Sequence, residues 1–162
     1  MLLLLLFAAG CSAGSGSSAD NAPGTTSASE ASRDLRVQRV SSDAPGQGPE
    51  RPRVVVATSA AALSDATGVN VPNSGDGTYL AACWGEKATG GYSMAVRSAR
   101  LEEGRVTVRL SLREPPDAIL TQAPTYPYAV AVVRGLNPEG KDFSFVDEEG
   151  QELDWPVRRA GG

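Results

Sequence analysis

Few residues in this chain are equipped for chemistry. Histidine is absent from all 162 positions, which removes the Ser-His and Cys-His nucleophile systems and the commonest metal ligand. Carboxylates remain, and the pair that would serve a hydrolase as general acid and base is Glu86 with Glu114 or Asp117. Such work needs two carboxyls at a defined separation, one with its pKa raised in an apolar cleft, and nothing in the spacing imposes either condition. Glu102, Glu103, Glu148 and Glu149 fall at turn positions, where charge marks a solvated tip. The run "DFSFVDEEGQELDW" gathers Asp147, Glu148 and Glu149 but lacks the Asp-x-Asp-x-Asp-Gly order of a calcium loop. The reading is of a protein that is not an enzyme, with no metal and no cofactor.

Two cysteines have different settings. Cys11 follows an apolar run, Leu2 to Ala9, and the small residues of "FAAGC". That run is too short to span a bilayer and fits the apolar core of an export signal. Small residues immediately before a cysteine resemble the lipobox of bacterial lipoproteins, which implies lipidation of Cys11 and cleavage ahead of it. No Lys or Arg precedes the run, and Ala8 stands where that pattern usually has Leu. Cys83 lies within "YLAACW". A bridge between the two would tie a flexible terminus to a strand interior, so a buried free thiol is expected at Cys83.

The stretch "GEKATGGYS", Gly85 to Ser93, offers contact rather than catalysis. Gly90 and Gly91 permit a close backbone approach, Thr89 can bond local amides, and Tyr92 brings a ring with a hydroxyl tip. Phosphate capture is a poor reading, because no lysine and hydroxyl residue follow the last glycine and no helix is expected there. The plain alternative is a tight turn between two strands, with Tyr92 as the first core residue of the second.

The elements that must position this loop are read from apolar patterning. "RVVVA", Arg53 to Ala57, is a strand; Ser59 caps a short helix carrying Ala61, Ala62 and Leu63, and Gly68 ends it. Asn70 to Gly77 is a loop. Tyr79 to Trp84 is continuously apolar, as a central strand covered on both faces would be. Tyr92, Met94 and Val96 alternate with polar or small neighbours, "EEGR" (Glu102 to Arg105) is a hairpin turn, and Val106, Val108, Leu110 and Leu112 form the clearest period-two pattern. Prolines 115, 116, 124 and 127 keep the next connection out of regular ladders. "YAVAVV", Tyr128 to Val133, is a second buried strand, and Phe143 to Val146 with Gln151 to Trp155 predicts a final hairpin around Gly150. The fold class is mainly β, a small β-sandwich or partly open barrel with at most one short helix.

The expected organisation is a signal segment over 1–11, a disordered Ser/Gly/Ala/Pro-rich tether over 12–52, a β domain over 53–135, and a hairpin extension with a tail over 136–162. The tether is too poor in large apolar residues to offset the entropy of ordering it, and a polar spacer suits a domain held off a membrane by a lipid on Cys11. Lys+Arg 15 against Asp+Glu 19 gives a formal net charge of −4, with no basic face able to follow a phosphate backbone, so nucleic acid is not an expected partner.

"GEKATGGYSMAV", "GRVTVRLSLREPP" and "TQAPTYPYAVAVV", in that order from about Thr78 to Val133, resemble the core of the PrcB C-terminal family. The family commonly has proline before the threonine of its glycine loop, where this chain has Ala88; Thr89, Gly90, Gly91 and Tyr92 match, as do Thr125, Pro127 and Tyr128. The resemblance implies an extracytoplasmic accessory protein, often lipid-anchored, which assists a secreted protease without being one. "KATGGYSM" is also similar to the "NPTTGY" loop of chagasin-type peptidase inhibitors, without the tryptophan expected after it; that is analogy and names no target. On the two loops Thr89 to Ser93 and Gln122 to Tyr128, the candidate protein-binding residues are Thr89, Gly90, Gly91, Tyr92, Ser93, Gln122, Thr125, Pro127 and Tyr128. The same two loops would serve equally as a corner that packs on itself, and a structural envelope lipoprotein without a dedicated partner is the alternative. The expected location is the cell envelope, at the outer membrane or cell surface.

Overall fold

A computed structural model describes residues 32–42, 48–116 and 123–161. Among the described residues nine strands and one helix run in the order β1 (Arg33–Leu35), β2 (Val37–Ser42), β3 (Arg53–Ala57), α1 (Ala60–Thr67), β4 (Thr78–Cys83), β5 (Ser93–Glu102), β6 (Arg105–Arg113), β7 (Tyr128–Val133), β8 (Asp142–Val146) and β9 (Val157–Ala160). They form a four-stranded sheet ordered β1-β5-β6-β8 and a five-stranded sheet ordered β2-β7-β4-β3-β9. The expected mainly β sandwich with one short helix is what forms, and neither sheet closes into a barrel.

The second sheet is covered on both faces, which explains why β4 and β7 read as unbroken apolar runs and are buried at every position. One face sets Val54, Val56, Leu80, Ala82, Ala129 and Ala131 against Val96, Leu101, Val106, Val108, Leu110 and Phe145 of the first sheet. The other sets Val55, Tyr79, Ala81, Cys83, Tyr128 and Val130 under α1, where Leu63 is fully enclosed. Truncating Leu63 to Ala costs about 3 kcal/mol, the cavity adding to the lost transfer energy. The helix has the ends the sequence predicts: the Ser59 hydroxyl accepts from the Ala62 amide, and Gly68 closes it in the left-handed region.

The first sheet buries one face only, so β5 and β6 alternate. Their ladder slips between Val96 and Ser98. This bulge lets Met94 and Val96 before it and Ala99 and Leu101 after it all face inward, and it re-aims Arg97 outward onto the Ser111 hydroxyl (3.1 Å) and Glu148 (3.6 Å). The "EEGR" hairpin forms with Glu103 (φ 48°) and Gly104 (φ 81°) both left-handed, as a type I′ turn requires.

The ends of the chain depart from expectation. β1 and β2 lie inside the stretch read as tether. Arg33–Leu35 and Val37–Ser42 carry Leu35, Val37 and Val40 at spacings that let them cover the edges of both cores, although the surrounding composition conceals them. The C-terminal segment makes no two-stranded hairpin ladder either. β8 pairs in parallel with β6, and Gln151 to Trp155 returns to it through the single Val146–Glu152 bridge, closed by the Asp147 amide on the Gln151 carbonyl and the Leu153 amide on the Phe145 carbonyl. Two inward phenylalanines, Phe143 and Phe145, gain more by completing the first sheet beside Val106 and Val108 than by a local hairpin. The chain then continues into β9, parallel to β3. Residues 1–31, including Cys11, lie outside the described residues, as do 43–47 and 117–122.

Candidate functional site

At the end of the sandwich where β4 stops, the two segments singled out in the sequence come together. Trp84 leaves β4 with its amide on the Pro127 carbonyl (2.9 Å). Lys87 and Thr125 then exchange both backbone bonds, at 2.8 and 2.9 Å, as an isolated antiparallel bridge. The Thr125 hydroxyl donates to the Thr89 carbonyl at 2.8 Å, so the glycine loop is held by the proline-rich connection at its own threonine. A third strand of chain joins: the Glu86 amide donates to the Glu50 carbonyl at 2.9 Å.

Rings and charges lie over this backbone frame. Trp84 and Tyr92 meet edge to face, centroids 5.6 Å apart at 84°. The Lys87 ammonium sits 4.3 Å from the Trp84 centroid and 5.2 Å from that of Tyr92. A cation held by two ring faces contributes about 0.5–1 kcal/mol at an exposed site. On the far side of the bridge, the Tyr126 hydroxyl donates to the Glu86 carboxylate at 2.9 Å. That bond, joined by slight burial and by the charges of Glu86 and Glu50, pushes the Tyr126 phenol above its ordinary range, since ionising it would remove the donor.

The residues predicted for protein contact divide into three groups. Thr89, Gly90, Tyr92 and Thr125 are half-buried in the corner, Gly91 is exposed at φ 91°, and Ser93 opens β5 opposite Arg113. Pro127 and Tyr128 are buried; Tyr128 is 4% exposed and packs beneath the helix, so its ring is core. Gln122 lies outside the described residues. Sequence reading missed Trp84, Lys87 and Tyr126, the three side chains that give the corner its surface chemistry. A tryptophan three residues ahead of a lysine at the mouth of a loop was the available signal.

Of the carboxylates weighed as a catalytic pair, Glu86 and Glu114 are both exposed, and Asp117 lies outside the described residues. In the acidic turn the Asp147 carboxylate accepts from the Gln151 amide at 2.7 Å, and the Arg109 guanidinium donates to the Glu148 carbonyl. No group of three or more metal-ligating side chains occurs among the described residues. Cys83 is a buried free thiol, its pKa pushed up to about 11 by burial against a smaller opposing effect of the Arg53 charge.

The matched stretch in the comparison with protein families runs from the first residue of β4 to just past β7, taking in both loops and the hairpin between them: the family model described as PrcB C-terminal matches residues 78–134. No curated protein and no solved structure matches the chain. Residues 78–134, the glycine loop and the segment that braces it included, are thus similar to the PrcB C-terminal family.

Proposed function

We propose that this protein is a lipid-anchored, extracytoplasmic accessory module that contacts a protein partner, of the secreted-protease kind, through the corner built by Trp84 to Ser93 and Ala123 to Tyr126, and that it is not itself an enzyme. The observation that carries the reading is the meeting of the two segments in one surface of half-buried threonine, tyrosine and tryptophan. Rigid aromatic groups give contact area at low entropic cost. Family similarity over the same residues supports association with a protein complex. Polarity along β5 supports it too. Arg33 of β1 pairs with Leu101, beside the Glu103–Gly104 turn, while the corner precedes Ser93 at the other end of the same strand. A ten-residue strand spans about 30 Å, so a tether arriving at β1 from a lipid on Cys11 leaves the corner facing away from the membrane.

The mutual bracing of Thr125, Thr89 and Lys87 favours a second reading, in which the corner is architecture and the protein a structural envelope lipoprotein. One experiment separates them: affinity purification of the native protein from membranes, wild type against Thr89→Ala/Tyr92→Ala, with circular dichroism confirming that both fold. The proposal expects a stoichiometric envelope protein that the folded variant loses. Retention of every partner by the variant makes the corner architectural. Labelled fatty acid incorporated by wild type and lost in Cys11→Ala tests the anchor.

A further inference from the structure

Beside the corner lies a recess of about 280 Å³ whose floor is Trp84 and Leu112 and whose walls are Glu114, Asp147, Glu148 and Glu149. Both floor residues are half-buried and pack on the core between the sheets, so the floor is fixed while its upper surface stays open. Trp84 already attracts a cation within the chain, the Lys87 ammonium at 4.3 Å, and Lys87 is not part of the recess lining. The wall charge is only partly answered. Arg97 pairs with Glu148 at 3.6 Å and Arg109 bonds the Glu148 carbonyl, whereas no lysine or arginine among the described residues is within ion-pair distance of Glu114, Asp147 or Glu149.

A flat apolar floor with uncompensated carboxylates above it fits a long cationic side chain, whose methylenes lie along the ring while its head meets the acids. Guanidinium fits better than ammonium, being planar, weakly hydrated and able to meet carboxylates two bonds at a time. We infer that this recess takes an arginine side chain presented by the partner protein, an assignment that rests on the corner being a protein contact. The floor and Glu114 lie within the family-matched residues 78–134, and the acidic turn that supplies the other three carboxylates lies outside them.

The test uses the full chain in detergent micelles and a capped Gly-Arg-Gly tripeptide, following the Trp84 indole N–H by NMR, assigned with Trp155→Phe. The expected result is a saturable shift, weakened by salt and at least about threefold weaker in Glu114→Gln/Glu149→Gln, whose side chains are exposed and make no bond among the described residues. Arg97→Ala, which frees Glu148, tightens binding. A non-saturable shift, an equal shift from capped Gly-Leu-Gly, or indifference to the double substitution overturns the inference. Tripeptide binding with no partner recovered from membranes keeps the recess and removes the protein-contact reading; partner capture with no tripeptide binding keeps the contact and removes the arginine.

Discussion

Two connections flank β5, and at both a glycine adopts nearly the same dihedral. In the β5–β6 turn Gly104 has φ 81°, and a Cβ added there would meet no atom within 4 Å. In the β4–β5 connection Gly85 has φ 84°, and a Cβ would come within 2.9 Å of the Glu50 carbonyl oxygen and of the Pro52 ring. The first turn needs glycine for its backbone alone. The second needs it for backbone and for space, because a third segment of chain is pressed against it. A connection that only reverses direction takes two residues; the other, nine residues from Trp84 to Tyr92, is bonded to segments on both sides.

By that contrast, Gly85→Ala destabilises by about 2–4 kcal/mol, left-handed strain and overpacking adding together, while Gly104→Ala costs about 1 kcal/mol from strain alone. Urea melts of the two variants compare them directly, and equal losses would mean that the corner yields as easily as the open turn. Thr125→Val is next. It strands the Thr89 carbonyl and costs about 1 kcal/mol, read as faster hydrogen exchange at the Lys87 and Thr125 amides with the Glu102–Arg105 turn unchanged.

Lys87→Ala removes the cation between two rings, about 0.5–1 kcal/mol, and alters Trp84 fluorescence more than it moves the melting point. The smallest effect belongs to Tyr126→Phe, because that hydroxyl is at the surface. Its readout is a titration: one tyrosine ionising above the ordinary range disappears from the ultraviolet curve. Since the bond raises that pKa, its stabilisation is complete below the ordinary tyrosine range and is lost as pH rises through the raised value.

A separate alkaline effect lies in the core at the end of β4. The Cys83 thiol, pushed up from 9.0 to about 11, is neutral in the fold and ionises more readily when unfolded, so stability falls as pH rises from about 9 toward 11. Cys83→Ala flattens that slope.

How legible this was depended on how local the cause was. Strands β3 to β7 and α1 could be read because apolar period, caps and turn residues sit beside one another; Ser59, Gly68 and Gly104 each do locally what their residue types favour. β1 and β2 could not, since Leu35, Val37 and Val40 are the whole signal and sit within a polar, small-residue stretch. The parallel pairings of β8 and β9 depend on partners dozens of residues away, and a nearby acidic turn suggests a hairpin instead. In the corner, glycines, threonines and tyrosines announced two special loops, and their meeting followed from β4 and β7 being neighbours. Tyr128 was misplaced because β7 is covered on both faces, so even its first residue is buried whichever way it points, and its loop-like context argued otherwise. Trp84 and Lys87 went unread because one looked like a strand end and the other like a surface charge.

The two parallel pairings have a kinetic consequence. β8 seals one sheet and β9 the other, so both sheets acquire their last strand only when residues 142–160 are present. Non-local pairings of this kind are slow to close. A chain delivered from its N-terminus holds the edge of β6 open until Val146 has emerged, and the edge of β3 open until Ala160 has. Such a protein fastens in two steps, the second at the very tail of its delivery.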